Sequence, residues 1–125
     1  MARRGVELES MPKGCPRDVS AFKKSVNMSP SEIRRWAKDP RALCASFAVT
    51  RGRLPALATL RAKNLVGWTA NDCKFARRVV NFNKRMEGMS RAHGCTTKIN
   101  VALRNWGRVA PGCGRVPECK RRRTL

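Results

Sequence analysis

Cysteine and histidine are the residue types of this chain best suited to metal chemistry, and it has six cysteines and one histidine in 125 residues. His93 and Cys95 flank a single glycine, and Cys113 and Cys119 form a C-x5-C pair. Four such side chains are enough for a structural zinc site. Those sites usually contain tight C-x2-C pairs, however, and neither pair here has that spacing. The sequence therefore predicts no bound metal, and zinc at these four residues is the alternative.

The state of the cysteines depends on the compartment. The N-terminal stretch MARRGVELESMPKGCP contains two arginines but no apolar run, so it is not typical of a secretory signal. We expect an intracellular protein, or one inside a virus particle, with mostly reduced thiols. Cys44 and Cys73 lie on apolar faces and are expected to pack as small hydrophobic side chains. A disulfide between Cys113 and Cys119 is the alternative in an oxidising particle.

Side chains for acid–base catalysis are scarce. His93 ends a predicted helix, where an imidazole favours the negative end of the helix dipole. The acidic residues Asp18, Glu32, Asp39 and Asp72 all lie at predicted helix starts, where carboxylates act as caps or ion-pair partners. No glycine-rich loop suited to holding a phosphate is present. We therefore expect no enzymatic activity, no cofactor and no small-molecule substrate.

Basic residues dominate the composition, with 28 Lys and Arg against 8 Asp and Glu and a formal net charge of +20. Folding such a chain concentrates like charge, a cost that a polyanion would relieve. We expect phosphate contacts with low sequence specificity, because no helix carries the Asn, Gln and Arg set that reads bases. The predicted nucleic-acid-binding residues are Arg34, Arg35, Lys38, Lys74, Arg77, Arg78, Lys84, Arg85, Arg91, Lys120, Arg121, Arg122 and Arg123.

One long amphipathic helix, residues 69–93, is predicted to position most of these cations. Thr69 and Asp72 have the spacing of a capping box, and Gly94 provides the residue that ends such a helix. An apolar stripe along one face is expected to be buried, with basic residues on both flanks. The stripe comprises Phe75, Val79, Phe82, Met86 and Met89.

Shorter helices are predicted around it, and the fold class is an all-α bundle of about five helices. Asp18 is expected to cap the first, Ser29 the second within a Ser-Pro-Ser-Glu capping box, and Asp39 a third that buries Phe47. A fourth segment begins at Leu54, and a last helix follows Thr96 or Thr97. The helical domain is predicted over 18–107, with an irregular arm at 1–17 and a basic tail at 108–125. No apolar run approaches the roughly 18 residues of a membrane span.

Three segments together resemble a known family. They run from Val26 to Trp36, from Thr69 to Arg85 and from Leu103 to Gly107, and the Asn-Met-Ser-Pro start and the Asn-Trp-Gly ending are the most specific parts. This order is similar to that of small, uncharacterised helical proteins from bacteria and viruses that are loosely labelled DNA-binding. The resemblance implies association with DNA rather than RNA, and it implies no particular site residue.

Two functions follow as expectations. The first is non-enzymatic binding of nucleic acid through phosphate contacts. The second is a structural role in a large assembly, as a minor virion or capsid protein or a ribonucleoprotein subunit. In that case the basic arms would thread between neighbouring proteins and bind protein as much as nucleic acid.

Overall fold

The computed structural model describes residues 15–44, 53–64 and 67–118. Over these residues the protein is all-α, as the sequence predicts. The helices are α1 (Cys15–Ser25), α2 (Pro30–Ala37), α3 (Leu54–Ala62), α4 (Ala70–His93) and α5 (Thr97–Arg104), with a 3₁₀ turn at Pro40–Leu43. No strand occurs in the part of the chain that the structure describes.

Capping residues set the starts of the main helices. The Ser29 hydroxyl accepts from the Glu32 amide while the Glu32 carboxylate accepts from the Ser29 amide, which confirms the predicted capping box of α2. Thr69 and Asp72 form the same reciprocal pair at α4, and Thr96 caps α5. These local interactions fix where α2, α4 and α5 begin.

One predicted helix start and one predicted helix differ from the structure. Helix α1 begins at Cys15, so Asp18 lies within its first turn instead of capping it. Asp39 does cap the next element, where its carboxylate accepts from the Arg41 amide, but that element is a 3₁₀ turn of four residues. The predicted burial of Phe47 falls outside the described residues.

Two clusters of buried side chains form the core. In the larger cluster α1 packs against α4 and α2 against α3, with Phe22, Ile33 and Leu57 almost fully buried. The smaller cluster joins α5 to the chain after it through Leu103 and Ala110. Helices α2, α3 and α5 bury apolar side chains at helical spacing: Ile33 and Trp36 on α2, Leu54, Leu57 and Leu60 on α3, and Ile99 and Leu103 on α5. Helix α4 differs from its predicted stripe.

The buried face of α4 is turned by roughly 80° around the helix from the predicted stripe. Val79 is buried, but Phe75, Phe82 and Met86 are only half-buried and Met89 is 44% exposed, so the predicted burial of the stripe is confirmed at Val79 alone. Asn83 is buried instead, because its amide donates to the Ser25 hydroxyl at 2.9 Å and to the Trp106 carbonyl at 3.2 Å. The amide donor at the centre of the packed face is therefore satisfied, whereas the Asn83 Oδ1 is buried with no hydrogen-bond partner among the described residues.

The prediction of reduced thiols is wrong, because the cysteines in the described part of the chain are all disulfide-bonded. Cys15 on α1 pairs with Cys73 on α4, and Cys95 pairs with Cys113, with Cα–Cα distances of 5.7 and 5.3 Å. These distances are typical of disulfides. Cys44 is also disulfide-bonded. Because Cys95 and Cys113 are joined to each other, they are not thiolates that could ligate zinc.

Residues 108–118 form no helix, yet they pack onto the domain. Ala110, Cys113 and Val116 are buried, and the Cys95–Cys113 disulfide ties the segment to the end of α4. The Asn100 amide donates to the Gly114 carbonyl at 2.8 Å. Residues 108–118 of the predicted tail therefore belong to the packed domain, while residues 119–125 lie outside the described chain.

The Asn-Trp-Gly segment at the end of α5 joins distant parts of the fold. The Trp36 indole donates to the Asn105 side chain at 2.7 Å, and the Asn105 amide donates to the Ala42 carbonyl at 2.9 Å. The Met28 amide donates to the Gly107 carbonyl at 3.1 Å. This segment thus links α5 to the start and the end of α2 and to the 3₁₀ turn.

Arg108 forms the least exposed salt bridge among the residues that the structure describes. Its guanidinium binds the Glu87 carboxylate at 2.8 and 3.3 Å, and both side chains are about one-fifth exposed. It also donates to the carbonyls of Lys24 and Ser25 at the end of α1. Arg108→Ala should lower the free energy of unfolding by about 2–3 kcal/mol in urea melts, because it leaves a half-buried carboxylate and helix-end carbonyls without their donor.

Arg77→Ala is the matched control. It removes another salt bridge, to Asp18 at 3.0 Å, but the Arg77 side chain is 54% exposed. Exposed ion pairs contribute little to stability, so Arg77→Ala should lower the free energy of unfolding by clearly less than Arg108→Ala does. Equal losses in the two variants would contradict the structural role of Arg108.

Candidate nucleic-acid interface

Five of the six acidic side chains that the structure describes are engaged by the fold. Four salt bridges join Asp18, Asp39, Asp72 and Glu87 to basic partners, and the Glu32 carboxylate caps α2. The hydrogen bond from Arg41, opposed by partial burial, holds the pKa of Asp39 below its usual value. These carboxylates neutralise their own neighbours and leave the remaining cations uncompensated.

The exposed cations on α4 lie on the two predicted flanks. Arg78 and Arg85 are two turns apart on one flank, which places them about 10 Å apart along the helix. None of the following α4 side chains forms an ion pair with another residue that the structure describes: Lys74, Arg78, Lys84, Arg85 and Arg91. The helix therefore carries two lines of available positive charge.

Two groups of predicted binding residues differ from these five. Arg77 lies on α4 as expected, but its salt bridge to Asp18 partly neutralises it. The predicted tail contacts Lys120, Arg121, Arg122 and Arg123 lie outside the described residues. Arg34 and Arg35 on α2 and Lys38 at its C-terminal end are exposed, and none of the three lies on α4.

Arg35 and Lys38 lie on a groove that the sequence analysis missed. The groove encloses about 1380 Å³ between α2, the 3₁₀ turn, the end of α5 and residues 115–118. Further cations line it: Arg41, Arg104 and Arg115. No short motif indicates this site, because its residues come from three segments distant in the sequence.

Trp36 forms part of the groove wall between two arginines. The guanidinium carbons of Arg41 and Arg104 each lie 5.7 Å from the centroid of the Trp36 ring, a distance suited to cation–π attraction. Arg41 binds Asp39, but Arg104 makes no salt bridge within the described chain. Burial, and then the positive charge of Arg41, lower the pKa of Arg104 from its ordinary value.

An aromatic cluster next to one basic flank of α4 is a second feature that the sequence analysis did not find. The Trp106 ring stacks on Phe82 with centroids 4.9 Å apart and contacts Phe75 at 6.4 Å. Arg85 lies over the Phe82 ring at 5.8 Å. Trp36 and Trp68 are buried, whereas Trp106 is only half-buried. The cluster gives this flank an amphipathic surface.

His93 is exposed at the last position of α4, as the sequence indicates.

Within the described residues, no helix is long and apolar enough to cross a bilayer. The fold and the charge together define a small, disulfide-bonded all-α protein with an unusually basic surface.

No protein-family model, curated protein or solved structure matches this chain. The resemblance to small helical proteins labelled DNA-binding therefore stays a prediction. Any functional conclusion has to come from the surface itself.

Proposed function

We propose that this protein binds nucleic acid without catalysing a reaction, by neutralising phosphates with low sequence specificity. The observation that carries the proposal is the uncompensated charge of α4, where five exposed Lys and Arg side chains have no ion pair among the described residues. Phosphate contacts of this kind supply affinity without reading bases. DNA is the favoured partner, on the resemblance in sequence.

The proposal predicts a steep salt dependence. Affinity for a generic duplex should fall with a log–log slope of about −0.9 for each neutralised phosphate. Replacing Arg78 and Arg85 together with Ala should make the slope shallower by up to about two units and weaken all sequences alike. Fluorescence anisotropy at several salt concentrations measures both effects.

A matched control removes the same net charge elsewhere. Arg53 precedes α3 and Lys98 lies on α5, and both are exposed. The double variant Arg53→Ala/Lys98→Ala should leave the slope closer to that of the wild type. If it flattens the slope as much as the α4 variant, net charge rather than the α4 surface controls binding. Affinity that does not depend on salt would contradict phosphate binding altogether.

Membership of a large assembly is the second candidate function, and the disulfides favour it. Disulfide-bonded proteins persist in oxidising surroundings, which include virions. Deleting residues 120–125 separates the two candidates. A free nucleic-acid binder should lose affinity, whereas an assembly subunit should keep its weak affinity and fail to enter the particle.

A further inference from the structure

The groove beside Trp36 has a surplus of positive charge that the fold does not use. Arg35, Lys38 and Arg115 are exposed side chains on its rim, and none forms a salt bridge with a described residue. Three carboxylates also line the groove. Two of them are engaged by the fold, since Asp39 binds Arg41 and Glu32 caps α2. The third carboxylate that lines the groove is that of Glu118.

Arg104 is the most informative of these cations, because it is half-buried without a carboxylate partner among the described residues. Its Nε donates to the Asn100 side chain at 3.1 Å and its Nη2 to the Gly114 carbonyl at 3.2 Å. A guanidinium has five N–H donors, so several are left for a ligand. Arg41 adds like charge on the same indole ring. A half-buried arginine beside a like charge is stabilised when an anion binds there.

Shape and charge together indicate the kind of anion. The groove is larger than the roughly 300–1,000 Å³ of most small-molecule pockets, so it accommodates an extended ligand. Arginine forks suit the oxygens of a phosphate, which accept two parallel hydrogen bonds. We propose that this groove is a phosphate-binding site in which Arg104 and Arg115 contact the ligand and Arg35 and Lys38 supply the surrounding field.

The phosphate has two possible sources, a nucleic-acid strand or a free phosphate compound. In the first case the groove is a second contact region for the nucleic acid, and that part rests on the proposed function. In the second case the site is independent of it. The two flanks of α4 are not part of the groove, so variants can separate the two surfaces.

The test uses the full oxidised chain and two probes, inorganic pyrophosphate and a single-stranded DNA of about 12 nucleotides. Binding is followed by calorimetry and by the side-chain Nε–H NMR signals of Arg104 and Arg115. At least one probe should shift both signals saturably. Arg115→Ala should weaken that probe about tenfold, the loss expected for one charge-assisted contact. Arg115 is exposed and bonds to no described residue, so this variant should fold normally.

Arg104→Gln is the second variant, expected to weaken the probe at least as much. Lys98→Ala is the matched control, because Lys98 is an exposed cation that does not line the groove. This variant should leave the shifts that each probe causes at Arg104 and Arg115 unchanged. If the site binds nucleic-acid strands, the DNA should shift the Arg104 and Arg115 signals. If it binds free phosphate compounds, only pyrophosphate should shift them. The proposal is overturned if neither probe shifts the two arginine signals, or if Arg115→Ala leaves the affinity of the shifting probe unchanged.

The same data separate this site from the proposed function. Arg78→Ala/Arg85→Ala should weaken DNA without changing the affinity for pyrophosphate. If DNA fails to bind at low salt while pyrophosphate still shifts Arg104, the groove stands and nucleic-acid binding fails. If DNA binds but shifts only α4 signals and pyrophosphate shifts none, the reverse holds.

Discussion

Reduction of the disulfides is expected to unfold this protein or to lower its melting temperature by at least about 20 °C. The Cys15–Cys73 bridge spans 58 residues and the Cys95–Cys113 bridge spans 18. From loop-closure entropy, the longer bridge should stabilise the fold by about 4 kcal/mol and the shorter one by about 3 kcal/mol. Together they approach the whole stability of a typical small domain, about 5–15 kcal/mol. Self-repulsion of a chain with a net charge of +20 adds to the effect.

Thermal melts by circular dichroism with and without a reductant measure the loss. Paired variants separate the bridges: Cys15→Ala/Cys73→Ala should destabilise by about 1 kcal/mol more than Cys95→Ala/Cys113→Ala, because its loop is longer. Alkylation of the protein as purified, read by intact mass, is the control. Modification of all six cysteines without prior reduction would contradict the disulfide assignment.

Gly107→Ala should lower the free energy of unfolding by roughly 2–5 kcal/mol. Gly107 has a φ of 82°, which costs an L-residue about 1–2 kcal/mol. An added Cβ would also lie 2.6 Å from Val26 Cγ1 and 3.1 Å from Leu57 Cδ2, and both neighbours are buried. Overpacking of this kind costs a further 1–3 kcal/mol or so. Urea melts give the value directly.

Gly112→Ala is a closely matched control. Gly112 has a φ of 83°, but nothing lies within 4 Å of its would-be Cβ. Gly112→Ala should therefore lower the free energy of unfolding only by the cost of a positive φ in an L-residue, about 1–2 kcal/mol. The difference between the two variants measures the packing of Gly107 against α1 and α3. Equal losses at the two positions would mean that Gly107 does not pack as closely as described.

Local interactions made much of the fold predictable. The capping boxes at Ser29 and Thr69 depend on residues three apart, so the starts of α2 and α4 can be identified from the sequence. Helical spacing also predicts the buried positions of α2, α3 and α5. The exposed positions of the cations on α4 follow from the same helical spacing.

Contacts between distant segments were harder to predict from the sequence. The burial of Asn83 depends on partners from α1 and from the end of α5, so apolar periodicity placed the packed face of α4 on Phe82 and Met89 instead. The pairing of Cys15 with Cys73 has no local signal, and the expected compartment favoured free thiols. The groove at Arg104 and Arg115 exists only once α5 and residues 115–118 lie beside α2.

The sequence by itself determined the helical class, the caps and the excess of basic charge, because each depends on composition or on residues within one turn. The tertiary structure decided which cysteines pair, which face of α4 is buried and which cations stay uncompensated. Those outcomes depend on distances between segments up to 84 residues apart, such as the hydrogen bond from Arg108 to the Lys24 carbonyl. Local periodicity contains no information about such distances, because they are set by how the helices pack.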